Sequence, residues 1–185
     1  MSEPVRVGPA PVEALIVIDM QKGFLTGDAA VAGADGLVYN VSDLLFRARQ
    51  AQALVIHLQN DGPVGAVDEP GSPGWELCLT NADEAVVRKT SDDGFSDTPL
   101  GALLERRQVR RIALGGLLSE MCVSATARTA LAQGFSVVLP RDAHSTYPLD
   151  DIPARVVARV AEHSLGDEIE LARTSAVVEF VAPPA

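Results

Sequence analysis

Short apolar runs alternate, almost from end to end of this chain, with segments whose apolar residues recur at helical spacing. Ala14-Leu15-Ile16-Val17-Ile18 is continuous, uncharged and stopped by Asp19, the pattern of a strand buried on both faces. Leu37, Val41, Leu44, Leu45 and Ala48 then fall on one helical face, with Asp35 placed to cap it. Residues 53–58, 85–87 (ending near Lys89), 111–114, 136–139 and 176–181 read as further strands. Thr98-Pro99 marks a helix start with Leu100, Leu103 and Leu104 facing inward. A helix is predicted over 119–133 and stopped by Gly134, with Val123, Ala127, Ala130 and Leu131 on one face. Another opens at Asp151 and turns Val156, Val157 and Val160 inward.

Strands alternating with amphipathic helices demand a sheet whose two faces are both covered. The expected fold is α/β: a three-layer sandwich with a mostly parallel, roughly six-stranded sheet flanked by helices on both faces. With 185 residues the chain has enough material for one domain, 1–185, around a sizeable core. Residues 60–84 break the rhythm, being rich in Gly and Pro and carrying Trp75, the sole tryptophan. A loop of that length reads as a lid or pocket wall.

The net charge of −10 argues against a nucleic-acid surface, which needs clustered Lys and Arg. No apolar run approaches the roughly 18 residues of a membrane span. Met1 to Glu13 lacks the basic and apolar regions of a signal peptide. The expectation is a soluble cytoplasmic protein with no membrane partner. Two cysteines, Cys78 and Cys122, are too few for a disulfide framework. His57 reads as a core residue within a strand, and His144 and His163 have no partner at metal-binding spacing.

In open parallel sheets ligands bind beyond the carboxyl ends of the strands. Asp19 follows the first strand, Lys89 the third, and Cys122 the Gly115-Gly116 segment after the fourth. Each also has an ordinary reading. Asp19 would bond turn amides, Lys89 would be solvated in the polar string 88–93, and Cys122 would be a small buried apolar residue. Gly115-Gly116 reads as a tight turn or as a close packing point. Cys122 is predicted on the first turn of a helix, where free N–H groups lower a thiol pKa. A phosphatase of the type needing a second aspartate two residues after Asp19 is disfavoured, because Gln21 stands there.

Three stretches carry a resemblance. Leu15-Ile16-Val17-Ile18-Asp19-Met20-Gln21-Lys22-Gly23-Phe24 is similar to the first-strand motif of the isochorismatase-like cysteine hydrolases. Arg88-Lys89-Thr90 with Gly94-Phe95-Ser96-Asp97-Thr98-Pro99-Leu100 resembles their lysine motif. Gly115-Gly116-Leu117-Leu118-Ser119-Glu120-Met121-Cys122-Val123 with Thr126-Ala127 resembles their nucleophile motif. The resemblance implies an Asp19–Lys89–Cys122 triad and a cis peptide between Leu117 and Leu118. It also implies an oxyanion hole formed by the N–H groups of Leu118 and Cys122. Phe24, Trp75 and Phe95 resemble aromatic walls around a flat substrate.

The activity implied is hydrolysis of an amide, cyclic amide or ureido C–N bond of a small molecule through a thioester. The alternatives are vinyl ether hydrolysis and a non-catalytic binding protein on the same fold. Metal-holding relatives carry an aspartate and several histidines after the second strand. The segment His57-Leu58-Gln59-Asn60-Asp61-Gly62 lacks that pattern, so no metal and no cofactor are expected. Relatives of this kind are homo-oligomers, so a dimer or larger is expected.

Overall fold

The structure is a computed structural model that describes residues 10–184; the reading made on residues 1–9 lies outside them. β1 (Ala14–Ile18) leads to a short helix α1 (Lys22–Leu25) and the long α2 (Ala34–Gln50). β2 (Leu54–Asn60), β3 (Ala85–Lys89), α3 (Leu100–Arg106) and β4 (Arg111–Leu117) follow. A π-helical turn (Ser119–Val123) runs into α4 (Ser124–Ala132), then β5 (Ser136–Pro140), β6 (His144–Ser145), α5 (Ala154–Ser164) and β7 (Glu170–Ala172). The sheet has seven strands, paired in parallel in the order β3-β2-β1-β4-β5-β7, with β6 added beside the end of β4.

Every residue of β1 is buried, because side chains that alternate across the sheet meet helices on both faces. Ala14, Ile16 and Ile18 join Ile56, Leu58, Leu100, Leu104, Ala127 and Ala130 in one core. Leu15 and Val17 join Val55, Ala113, Val138 and the Leu37-Val41-Leu44-Leu45-Ala48 face of α2 in the other. The chain winds outward from β1 through β2 to β3, then returns to the other side of β1 for β4 and β5. That reversal opens a crevice between the carboxyl ends of β1 and β4, where such folds place their ligands.

Several local expectations are corrected. Gly115 and Gly116 lie inside β4 and make no turn. They are held there by pairing on both sides, Gly115 opposite Val17 and Gly116 opposite both Ile18 and His144. Gly116 has φ +128°, and a Cβ there would stand 1.9 Å from the Ile18 carbonyl oxygen, so no other residue fits without displacement. Asp35 does not cap α2; Gly33 precedes the helix and Asp35 sits in its first turn. Residues 176–181 are not the last strand. The edge of β5 is already taken by β7, so the following chain crosses over α2, where Arg47 donates to the carbonyls of Ser175 and Val178.

Helix α5 also differs from expectation. It begins after Pro153 and buries Ala154, Ala161 and Glu162, leaving Val156 and Val160 40% and 62% exposed. The helix packs on the π-helical turn and on β6, and Val156 and Val160 stay outside that contact. No helix among the described residues is long and apolar enough to cross a membrane.

Candidate active site

Four neighbouring strands end at one rim of the sheet and deliver one polar side chain each. Asp19 follows β1, Asn60 ends β2, Lys89 ends β3, and Cys122 lies on the turn after β4. Asp19 is held in the left-handed region, φ 51°, by its N–H donating to the Leu58 carbonyl and its carbonyl accepting from the Gln21 N–H. Aspartate tolerates that conformation better than most residues. The Leu117–Leu118 peptide is cis, and the next residues form the π-helical turn that presents Cys122 as its fourth residue.

Lys89 is the hub. Its Nζ lies 2.8 Å from Asp19 Oδ2 and donates to Asn60 Oδ1 at 3.2 Å and to Cys122 Sγ at 3.3 Å. All of this is buried: Asp19 is 3% exposed, Lys89 2% and Cys122 8%. Asp19 Oδ1 has no hydrogen-bond partner among the described residues. Cys122 Sγ also faces Asp92 Oδ1 at 3.6 Å, and Asp92 stands at the exposed mouth.

Burial raises the Asp19 carboxyl, although Lys89 pulls it the other way. Burial also opposes the Lys89 charge, but Asp19 and Cys122 outweigh it and keep the ammonium ionised. The thiol is pushed up, first by burial and then by the Asp19 charge, against the smaller help of Lys89. This corrects the expectation of a lowered Cys122 pKa from its helix-start position. Desolvation beside a carboxylate outweighs the partial charge of a helix end. The resting cluster is an ion pair beside a protonated thiol, with a base of raised strength facing it.

Asn60 and Gln21 complete the site, and the sequence reading assigned neither a role there. Asn60 donates to the buried Asp68 at 2.6 Å while accepting from Lys89, so it ties the loop to the hub. Gln21 is fully buried and donates to the carbonyls of Asn60 and Trp75 at 3.0 Å each, while accepting from the Asn60 N–H. The clue available for Asn60 was positional: it ends a parallel strand next to β1, as Asp19 and Lys89 end theirs. Asp92 carried no such clue within a run of polar residues.

The aromatic residues divide. Trp75 donates through Nε1 to Asp61 at 2.9 Å and carries the Arg88 guanidinium over its ring at 5.0 Å, so the loop 60–84 is pinned as a wall. Phe24 is partly buried and packs against the core on the α2 side of the sheet. Phe95 is partly buried and packs against the core, its ring centroid 6.1 Å from that of Phe135. Cys78 and Cys122 are both free thiols. His57 is fully buried and bonded to Glu84.

Comparison with known proteins bears on the family and the fold. The model of the isochorismatase domain matches residues 13–165. A streptothricin hydrolase of Streptomyces noursei is 52% identical over 194 residues, covering all of this chain and 77% of that protein. A second from the same organism is 54% identical over 183 residues, covering 94% of this chain and 66% of that protein, just under two thirds of its length. Among solved structures, an isochorismatase from Pseudomonas putida KT2440 superposes with a TM-score of 0.84 at 28% identity, covering 92% of each chain.

Proposed function

The chain belongs to the isochorismatase family of hydrolases, and we propose that it cleaves a C–N bond of a small amide through a thioester on Cys122. The observation that carries this reading is the contact of one buried ammonium, Lys89 Nζ, with both Asp19 at 2.8 Å and Cys122 Sγ at 3.3 Å. A structural lysine needs only the carboxylate; a thiol within reach of the same ammonium is placed as a nucleophile would be.

Asp19 takes the thiol proton as Sγ forms its bond to the carbonyl carbon. Lys89 remains protonated and offsets the negative charge while it passes from Asp19 to sulfur. The raised thiol pKa makes this proton transfer part of the attack instead of a prior step. The carbonyl oxygen becomes an oxyanion held by the N–H groups of Leu118 and Cys122; such a donor is worth about 10²–10³ in rate. As the C–N bond breaks, the proton on Asp19 moves to the departing nitrogen. Water then attacks the thioester with Asp19 as base, and the proton returns to Sγ as the carboxylic acid leaves. Phe24 and Trp75 would flank the substrate. No step needs a metal or cofactor.

The relatives at 52% and 54% identity carry the name streptothricin hydrolase, so streptothricin, opened at its cyclic amide, is the first substrate proposed. The test is hydrolysis of streptothricin and of a panel of primary, cyclic and ureido amides. Wild-type protein is expected to turn over at least one, and Cys122→Ala to lose about 10⁴-fold or more with an unchanged melting temperature. Mass spectrometry is expected to trap an acyl adduct on Cys122. Turnover by Cys122→Ala would refute the covalent reading. We also propose a cytoplasmic homo-oligomer, dimer or larger; a monomer in sedimentation velocity, or recovery in the exported fraction, would overturn that part.

A further inference from the structure

A second cleft lies apart from the triad. It has a volume of about 910 Å³ and its walls include Arg141, Arg155, Arg159, His144, His163 and Glu162. Three guanidiniums around one carboxylate form a local cationic excess in a chain of net charge −10. Arg141 and Arg159 lie 3.5 and 3.4 Å from Glu162 Oε2 through Nε, and neither makes a hydrogen bond through its terminal N–H groups among the described residues. Arg155 makes no hydrogen bond or ion pair among the described residues. A fork of guanidinium N–H groups matches the oxygens of a phosphate or carboxylate.

The bottom of the cleft carries a second, independent sign. His144 is buried, and its Nδ1 is paired with Ser119 Oγ at 2.8 Å. Its other ring nitrogen, Nε2, has no hydrogen-bond partner among the described residues, and in the tautomer that accepts from the Ser119 hydroxyl it carries the proton. Glu162 Oε1 is 3.6 Å from that nitrogen, an ion-pair distance too long for a hydrogen bond, and Glu162 Oε2 is held only by the loose ion pairs to Arg141 and Arg159. Buried polar groups left open in this way are costly and call for an explanation. The ligand must supply acceptors for the guanidinium N–H groups, and with one carboxylate among three guanidiniums the excess positive charge favours a multiply charged phosphate over a single carboxylate.

We propose that this cleft binds a phosphate-bearing small molecule, gripped by the terminal N–H groups of Arg141, Arg155 and Arg159 with His144 Nε2–H at its base. Occupancy has a direct route to the catalytic turn. His144 is bonded to Ser119, the first residue of the turn that presents Cys122, and the Ser119 carbonyl accepts from Ser124 Oγ at 2.6 Å. The binding itself does not rest on the amidase reading.

The test is titration calorimetry of the full chain with pyrophosphate at neutral pH and about 0.1 M salt, with citrate as the polycarboxylate control. One saturable pyrophosphate site per chain is expected, with citrate at least about tenfold weaker. Arg155→Gln is expected to weaken binding about tenfold, and R155Q/R159Q about a hundredfold, one charge-assisted contact each. Both side chains are exposed, so an unchanged thermal melt verifies the fold of each variant. The proposal fails if no saturable pyrophosphate binding occurs, if the double variant binds like wild type, or if citrate binds equally well. It fails too if an oligonucleotide displaces pyrophosphate at lower concentration, since that would mark a nucleic-acid surface.

Discussion

Glu84 and Asp19 are both buried carboxylates set against cations beside β2, and they are built to opposite ends. Glu84, with a side chain 8% exposed, accepts from Arg49 Nε at 2.7 Å and Nη2 at 2.9 Å, from His57 Nε2 at 2.8 Å and from the Asn81 N–H at 2.9 Å. Burial alone would raise its pKa, but those donors bring it down to about 2. Asp19 has one cation on Oδ2 and, among the described residues, no hydrogen bond on Oδ1, and burial leaves its carboxyl raised. A carboxylate whose lone pairs are filled by donors is an inert counter-ion. One left partly unfilled in a dry site keeps its appetite for a proton, which is the property a general base needs.

The largest break in this contrast is expected from Asp19→Asn, which keeps shape and removes the base. Its kcat/KM for the amide substrate is expected to fall about 10²–10⁴-fold. The mirror change, Glu84→Gln, is expected to cost about 3 kcal/mol of stability, by leaving Arg49 and His57 without their partner. Its kcat/KM should stay within about twofold of wild type. Denaturant melts and steady-state kinetics on both variants read this directly, and an activity loss in Glu84→Gln as large as in Asp19→Asn would erase the distinction.

A smaller effect is expected in the pH dependence of stability. Glu84 and His57 both have folded pKa values below their ordinary ones, 4.5 and 6.5; the His57 shift comes from burial, which outweighs the pull of Glu84. The unfolded chain therefore binds these protons more readily, and stability is lost on acidification. The melting temperature should begin to drop as pH falls below about 6.5 through His57, and drop further from pH 4.5 toward about 2 through Glu84. The raised Asp19 carboxyl acts with the opposite sign. Glu84→Gln should flatten the acid limb; an unchanged limb would show that Glu84 is not its source.

The smallest effect is expected from Asp92→Asn. Asp92 faces the sulfur at 3.6 Å but is exposed to water, so its charge is screened. Its kcat/KM is expected to change less than about tenfold. A loss matching Asp19→Asn would make Asp92 the base.

Much of this arrangement was legible from the residues. A run such as Ala14–Ile18 stopped by an aspartate is written for burial on both faces, and the apolar period of α2 for one face of a sheet. What was misread has a common cause. Gly115-Gly116 reads locally as a turn, but pairing with β1 and β6 keeps it in the sheet. Val156, Val157 and Val160 have the period of an inward face, yet α5 buries Ala154, Ala161 and Glu162 and leaves Val156 and Val160 exposed.

By itself the sequence determined the parallel α/β architecture and the strand-end placement of Asp19, Lys89 and Cys122, because burial period and punctuation are local properties of the chain. Tertiary structure alone decided the state of those groups. Whether Asp19 keeps an unfilled lone pair, whether Cys122 is pushed up or down, and whether three arginines share a cleft with His144 all depend on solvent exclusion and on partners far away in sequence. Electrostatic energies follow that surrounding dielectric and geometry, which no local pattern of residues encodes.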